Sequence, residues 1–197
     1  MKKRKHLIII FIAAAAMIFA IYQQISLSAQ NNAAKQAPAQ TASTVTTDSN
    51  SSDSLPTLYG PYTVMRIVDG DTIVVDIDGE DTKVRFIGVD TPESVSPDES
   101  KNTQEGIEAS EWTKELLSDV SVYLEYDVSQ YDKYNRTLAY VYLDDGVTMV
   151  QRLLLENGIA QIMTIQPNSK YADEFYQLQV SARESQIGFW GTEVFGD

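Results

Sequence analysis

The 197-residue chain contains no cysteine and a single histidine, His6. Without cysteine the protein has no disulfide framework, no thiolate zinc site and no cysteine nucleophile. Because His6 lies in the basic N-terminal tip, the rest of the chain has no imidazole to serve as a general base or a zinc ligand. Any catalysis must therefore rely on carboxylates, arginines, hydroxyl groups or a bound metal.

Basic side chains are also scarce beyond the N-terminal quarter of the chain. Residues 58–197 carry ten lysines and arginines against 26 aspartates and glutamates, a formal charge of −16. A nucleic-acid-binding surface is normally basic, because it must compensate phosphate charge. Bound divalent cations would make such a partner easier to accommodate.

The first 57 residues do not look like part of a folded domain. Residues 1–29 combine a basic tip, sixteen uncharged and mostly apolar residues and a short polar stretch, which predicts a signal peptide or an N-terminal membrane anchor. Both alternatives imply contact with the membrane or the export machinery and an extracellular location, either secreted or anchored to the outer face of the cytoplasmic membrane. Residues 30–57 are rich in Ser, Thr, Ala and Gln and predict a disordered linker.

Residues 58–197 show the hydrophobic patterns of a single α+β domain. Strands are expected at 62–68, 72–77, 83–89, 121–126 and 137–143, the first three forming an antiparallel meander. Helices are expected at 103–118, from a cap at Thr148 to Asn157-Gly158, and at 169–186. The buried face of the first helix is predicted to contain Ala109, Trp112 and Leu116. That of the last helix is predicted to contain Tyr171, Phe175, Leu178 and Ala182. This order predicts a five-stranded OB-type β-barrel with three helices.

The predicted strand 83–89 is apolar except for Arg85. Burying an unpaired guanidinium costs roughly several kcal/mol or more. Arg85 should therefore lie at a solvated edge or face an anion, and that anion could be a ligand. Asp90, Thr91 and Glu93 follow at the strand end, where Pro92 restricts the backbone. Neither Arg85 nor Glu93 is expected to belong to the core.

Asp69-Gly70-Asp71 separates the first two predicted strands and, by itself, is typical of a hairpin turn. The segment from Asp90 to Glu93 is likewise typical of a turn and helix cap. Together the two segments place several carboxylates at neighbouring strand ends, a set of hard oxygen donors suited to Ca²⁺ or Mg²⁺.

Arg136, in the polar loop before the fifth strand, could be an ordinary solvated arginine. Alternatively, Arg85 and Arg136 form a pair of planar cations beside a metal, the combination that phosphoryl transfer needs. A carboxylate can then orient or deprotonate the attacking water, and no histidine is required.

The motifs and their order resemble those of the staphylococcal nuclease (thermonuclease) family. Asp-Gly-Asp is followed by Arg-x-x-x-Val-Asp-Thr-Pro-Glu and then by Asp-Lys-Tyr-x-Arg-x-Leu-Ala-Tyr, within about residues 62–190. The resemblance implies a monomeric, exported, Ca²⁺-dependent endonuclease that hydrolyses phosphodiester bonds of DNA and RNA and leaves 3′-phosphate ends.

The resemblance also implies a role for each matching residue. Asp71 and Asp90 would ligate Ca²⁺ through their carboxylates, and Thr91 would ligate it through its carbonyl, with Asp69 nearby. The catalytic residues would be Arg85, Glu93 and Arg136, with Glu93 holding the water and the arginines binding the phosphate. Lys133 and Tyr134 would contact a neighbouring phosphate and sugar.

Two segments depart from the family pattern. The loop after the Pro-Glu turn carries Asp98 and Glu99 where lysines are common, and residues 162–166 contain no aromatic side chain. We therefore expect weaker steering of the substrate and weaker stacking of its bases. The acidic surface and the missing tyrosines favour one alternative, a non-catalytic surface-tethered OB-type binding module, whereas the presence of every expected catalytic residue favours the nuclease. A third alternative, a calcium-dependent surface adhesin, would require Ca²⁺ binding without hydrolysis.

Overall fold

A computed structural model describes residues 56–94 and 102–195. Those from Thr57 onwards belong to one compact unit. Its strands are β1 (Tyr59–Asp69), β2 (Thr72–Ile77), β3 (Glu80–Phe86), β4 (Gly88–Asp90), β5 (Ser121–Glu125), β6 (Thr137–Tyr142) and β7 (Gln161–Met163). Its helices are α1 (Gln104–Leu117), α2 (Val150–Glu156) and α3 (Ala172–Glu184), followed by a 3₁₀ turn at Gly188–Gly191.

Five strands close into a barrel in the order β1-β2-β3-β6-β5, with β5 pairing back to β1. All pairs are antiparallel except β3 with β6. The register of β1 on β2 shifts between Val64 and Arg66 and again between Ile67 and Asp69. Such bulges increase bend and twist, which lets one strand pair on both edges. The predicted α+β fold, a five-stranded OB-type barrel with three helices, is confirmed.

The barrel interior is filled by alternating apolar side chains of the strands, which are almost fully shielded from water: Ile73, Val75, Val84, Phe86, Leu124 and Val141. Thr103 caps α1, its hydroxyl accepting a hydrogen bond from the amide of Gly106 at 3.0 Å. The buried face of α1 consists of Gly106, Ala109, Thr113 and Leu117. The predicted Trp112 and Leu116 are only half-buried, so the apolar stripe is rotated from its expected position.

The prediction of one strand over residues 83–89 is wrong, because the chain breaks after Phe86 and resumes as β4. Gly88 has a φ of +85°, a conformation that side chains with a Cβ avoid. A Cβ there would also lie 2.7 Å from the ring of Phe175. The break turns β4 away from the barrel to pair with β7, a strand that the sequence did not predict.

The predicted cap of the second helix is also wrong. Helix α2 begins at Val150 after Met149, which makes no side-chain cap. The hydroxyl of Thr148 instead donates to the carboxylate of Asp145 at 2.6 Å, closing the preceding turn. The predicted end of this helix at Asn157 and Gly158 is confirmed. Helix α3 is shorter than predicted at both ends, because it begins only after Tyr171 and ends at Glu184.

The predicted signal or anchor (residues 1–29) and nearly all of the predicted linker (residues 30–57) lie outside the described residues, as do residues 95–101. Among the residues that the structure describes, no helix is both long enough and apolar enough to cross a membrane.

Candidate active site

The turn between β1 and β2 places Asp71 inside the protein. Its Oδ2 accepts hydrogen bonds from the amide of Thr91 at 3.0 Å and from the hydroxyl of Thr91 at 3.2 Å, and its Oδ1 accepts one from the hydroxyl of Thr72 at 3.0 Å. Gly70 is required here because a Cβ would lie 2.7 Å from the hydroxyl oxygen of Thr91. The turn and the segment after β4 are therefore joined around one carboxylate.

Arg85 faces anions, as one of the sequence-based alternatives expected, and the anions are carboxylates of the protein. Its Nη1 lies 3.1 Å from Oδ2 of Asp71, and its Nη2 donates to Oδ1 of Asp90 at 2.9 Å. Nη1 also donates to the carbonyl oxygens of Phe86 at 3.2 Å and Val89 at 2.8 Å. The side chain is only 12% exposed, so Arg85 lies at the border of the core and is more buried than the sequence analysis expected.

These bonds leave part of the guanidinium free to bind another group. Among the described residues, none accepts a hydrogen bond from Nε of Arg85. The Nη2 group donates one hydrogen bond, to Asp90, and can donate a second. An arginine binds a phosphate through two parallel N–H groups. The Nε–Nη2 edge of Arg85 therefore has the donors for one bidentate contact.

Glu93 and Asp90 lie in a group of like charges. Burial raises the pKa of Glu93, and the carboxylates of Asp69, Asp71 and Asp90 raise it further. Burial also raises the pKa of Asp90, although the neighbouring Arg85 opposes this rise. Because the side chain of Glu93 is exposed, the carboxylate is accessible to solvent and a better proton acceptor than an isolated glutamate.

Asp69 is held by hydroxyl groups on both sides of the site. Its Oδ1 accepts hydrogen bonds from the hydroxyl of Ser94 at 2.6 Å and from that of Ser110, on α1, at 3.2 Å. The hydroxyl of Thr113, also on α1, donates to the carbonyl of Gly70 at 2.7 Å. Sequence reasoning did not single out these three hydroxyl residues, because they become neighbours of the turn only when α1 packs against it.

Arg136 is anchored, unlike the freely solvated arginine that its loop position also allowed. Its Nε donates to Oδ2 of Asp132 at 2.7 Å, and the amides of Arg136 and Tyr134 both donate to Oδ1 of Asp132 at 2.9 Å. Although burial acts to raise the pKa of Asp132, these hydrogen bonds lower it overall. The spacing of four residues between Asp132 and Arg136 was a signal for this pair that the sequence analysis did not use.

A pocket of about 440 Å³ brings the two arginines together. Arg85 lines one part of it, and Lys133, Tyr134 and Arg136 line another. The end of β7 and the segment after it also line the pocket, through Met163, Ile165, Gln166 and Pro167. The structure thus places four of the predicted site residues around one cavity, next to the carboxylates of Asp71 and Asp90.

Comparison with known proteins shows the family of the chain. The family described as staphylococcal nuclease homologue matches residues 83–192. The chain belongs to the staphylococcal nuclease family. It is 45% identical over 129 residues to the protein named thermonuclease of Staphylococcus intermedius, covering 66% of this chain and 75% of the relative.

Two further members show how wide the similarity is. The thermonuclease of Staphylococcus hyicus is 43% identical over 129 residues, with 66% of this chain and 75% of the relative covered. Endonuclease YncB of Bacillus subtilis (strain 168) is 38% identical over 130 residues, 65% of this chain and 60% of the relative. The family assignment made from the three motifs is confirmed.

The chemistry of the donors in this staphylococcal nuclease domain fits a hard divalent cation. Asp69, Asp71, Asp90 and Glu93 interact with one another, and Arg85 is the cation bound among them. An excess of carboxylates over cations is relieved by a divalent ion with oxygen ligands. In residues 56–94 and 102–195 no three acidic or histidine side chains form a ready-made metal cluster. The predicted ligand set contains two carboxylates and a backbone carbonyl, so water would complete it.

Proposed function

We propose that the protein is an exported Ca²⁺-dependent nuclease that hydrolyses phosphodiester bonds of DNA and RNA and leaves 3′-phosphate ends. The observation that carries the proposal is the position of Arg85, which lines a pocket shared with Arg136 and pairs with the carboxylates of Asp71 and Asp90. Phosphoryl transfer needs cations at the equatorial oxygens, which the two arginines supply, and a positioned water, which we assign to Glu93.

Calcium, when bound by Asp71, Asp90 and the carbonyl of Thr91, would neutralise charge on the phosphate and polarise it as a Lewis acid. The Nε–Nη2 edge of Arg85 donates two hydrogen bonds to the nonbridging oxygens, and Arg136 compensates the negative charge that develops on them.

Glu93 acts on the attacking water. Its raised pKa makes the carboxylate a better proton acceptor, and its exposure allows water to reach it. As the water oxygen bonds to phosphorus, Glu93 takes the water proton and the bond from phosphorus to the 5′ oxygen breaks. The 5′ oxygen takes a proton from solvent water, and Glu93 returns its proton to the solvent. The products are a 3′-phosphate and a 5′-hydroxyl.

The decisive experiment is hydrolysis of single-stranded DNA and of RNA by the full chain, purified in mild detergent, with Ca²⁺ or with chelator. We expect cutting only with Ca²⁺; undiminished cutting in chelator would exclude the metal assignment. If neither condition gives products, the chain is a binding module or adhesin. A polymerase should extend the product ends only after phosphatase treatment, because a 3′-phosphate blocks extension.

The replacement Glu93→Gln tests the role of the carboxylate. We expect the cleavage rate to fall by about 10²–10⁴-fold, the usual contribution of a general base, with an unchanged unfolding midpoint. Glu115→Gln is the matched control, because Glu115 is an exposed glutamate on α1. An unchanged rate for Glu93→Gln would remove this residue from the mechanism.

Export is a separate part of the proposal and rests on the basic tip and apolar run of residues 1–29. In a bacterial expression host the chain should be found outside the cytoplasmic membrane. N-terminal sequencing then distinguishes a cleaved signal from an anchor. Retention of the full chain in the cytoplasm would exclude both.

A further inference from the structure

A set of tyrosines extends from the pocket across the surface of the barrel. Tyr134 and Tyr131 line the pocket and are 68% and 61% exposed. Tyr131 is held in place because it pairs with Thr137 at the start of β6. The ammonium of Lys133 lies 4.9 Å from the centre of the Tyr134 ring.

The set continues beyond the pocket along β5 and β1. The rings of Tyr126 and Tyr59 lie 5.0 Å apart between centroids, and Tyr59 is 46% exposed. Burial raises the pKa of the Tyr126 phenol, and the neighbouring phenols of Tyr62, Tyr131 and Tyr59 add to this rise. Tyr131, which lines the pocket together with Tyr134, is therefore also a neighbour of Tyr126. We name Tyr134, Tyr131, Tyr126 and Tyr59 the tyrosine row.

The carboxylates closest to the row in sequence are engaged with other groups. Asp132 pairs with Arg136. Asp127 accepts hydrogen bonds from the hydroxyl of Tyr140 at 2.9 Å and from the amide of Lys170 at 3.2 Å. Both of these carboxylates are thus already hydrogen-bonded to other parts of the domain.

We propose that the tyrosine row binds the bases of an unpaired nucleic-acid strand whose phosphate occupies the pocket between Arg85 and Arg136. The inference rests on the proposed function for its occupant, since one end of the row forms part of that pocket. Stacking on an aromatic ring strengthens binding by about 5- to 150-fold per base and accepts any base. Because stacking does not need positive charge, it suits a domain with a formal charge of −16.

The row would also compensate for the segment after β7. Met163 and Ile165 line the pocket there with exposed aliphatic side chains, which offer no π face to a base. The bases would instead stack on tyrosines in the loop before β6 and beside β5 and β1.

The test measures equilibrium binding by fluorescence anisotropy, using the full chain in chelator so that a calcium-dependent enzyme does not cut the probe. The probes are a labelled oligothymidylate of about 12 nucleotides, within the usual site size of an OB fold, and a thymidine dinucleotide too short to follow the row. The variants are Tyr59→Leu and Tyr131→Leu, which keep apolar bulk at exposed positions. Tyr59→Phe and Tyr131→Phe retain the ring, and Tyr176→Leu is a control at an exposed tyrosine on α3.

We expect each leucine variant of the row to bind the oligonucleotide about 5- to 150-fold more weakly. The phenylalanine variants and Tyr176→Leu should bind it as the unmodified chain does. Tyr59→Leu should bind the dinucleotide as tightly as the unmodified chain, because Tyr59 lies outside the lining of the pocket. The loss should persist at high salt, because stacking is not screened. Unchanged binding by both leucine variants, or equal affinity of the unmodified chain for the two probes, would overturn the proposal.

Cutting of the dinucleotide with Ca²⁺ separates this proposal from the proposed function. Loss of oligonucleotide binding in the row variants without any cutting by the unmodified chain would support the row and reject the nuclease. Normal cutting with unchanged oligonucleotide binding would support the nuclease and reject the row, leaving its exposed rings to a protein partner.

Discussion

Replacing Arg85 by methionine should destabilise the domain strongly. The guanidinium and the Asp71 carboxylate form a pair with side chains 12% and 7% exposed. Removing one member of a buried pair costs about 3–5 kcal/mol, because the other charge is left uncompensated. Since Asp71 keeps its hydrogen bonds from Thr91 and Thr72, and Asp90 is 30% exposed, we expect a loss at the lower end, about 3 kcal/mol.

The assay is urea unfolding of the full chain at neutral pH in chelator, followed by circular dichroism. With a slope of about 1.5 kcal/mol per molar urea, the midpoint should fall by about 2 M. Lys83→Met is the matched control, because Lys83 is an exposed cation on the same strand, and it should change stability by less than about 0.5 kcal/mol. A loss below about 1 kcal/mol for Arg85→Met would show that the pair is solvated and refute the reasoning.

Two additions make this prediction more specific. The double variant Arg85→Met, Asp71→Asn should recover part of the lost stability, because Asp71, the more buried of the two carboxylates that Arg85 compensates, is then neutral. Millimolar Ca²⁺ should also stabilise the Arg85→Met variant, because the ion would compensate Asp71 and Asp90 and binds only the folded state. If Ca²⁺ has no effect on any variant, the proposed metal ligands are wrong.

Asp132→Asn should lower the free energy of unfolding by about 1 kcal/mol at neutral pH and weaken phosphate binding by freeing Arg136. Because the pKa of Asp132 is lowered in the folded state, its carboxylate stabilises the fold fully above the unfolded-state pKa, and this stabilisation disappears as the pH falls through the folded-state pKa. Urea unfolding of the variant and the unmodified chain at neutral and acidic pH tests this. A difference in unfolding free energy that does not change with pH would contradict it. Gly88→Ala should lower the melting temperature more than Gly79→Ala, because both glycines have positive φ but only at Gly88 does the new Cβ meet the ring of Phe175. Equal losses in thermal unfolding would show that the contact relaxes without cost.

The barrel strands were predictable because β-branched and aromatic runs alternate with turn residues, a local signal. Strand 72–77 has the bounds that were predicted for it. Each end of helix α1 lies within one residue of its own predicted bound. Strands β4 and β7 were missed because each has three residues, too few for a periodic pattern. Their pairing depends on the bend at Gly88, which is fixed by packing against Phe175.

The candidate site divides in the same way. Its residue types were recognisable from three ordered motifs, and the pocket contains both predicted arginines together with Lys133 and Tyr134. Their pairing was not recognisable. That Arg85 is held by Asp71 and Asp90, and that Ser94 and Ser110 hold Asp69, depends on contacts between residues 5 to 41 positions apart.

The sequence by itself determined the fold class, the family and the chemistry available, since these follow from residue types, their order and their periodicity. It also restricted catalysis to carboxylates, arginines and metal by lacking cysteine and by placing its one histidine at position 6. Only the tertiary structure decided that Arg85 is a mostly buried partner of Asp71, and that Tyr131 lines the same pocket as the two arginines. Burial and charge compensation depend on distances in space, and those exist only after the barrel closes and α1 packs against its first turn.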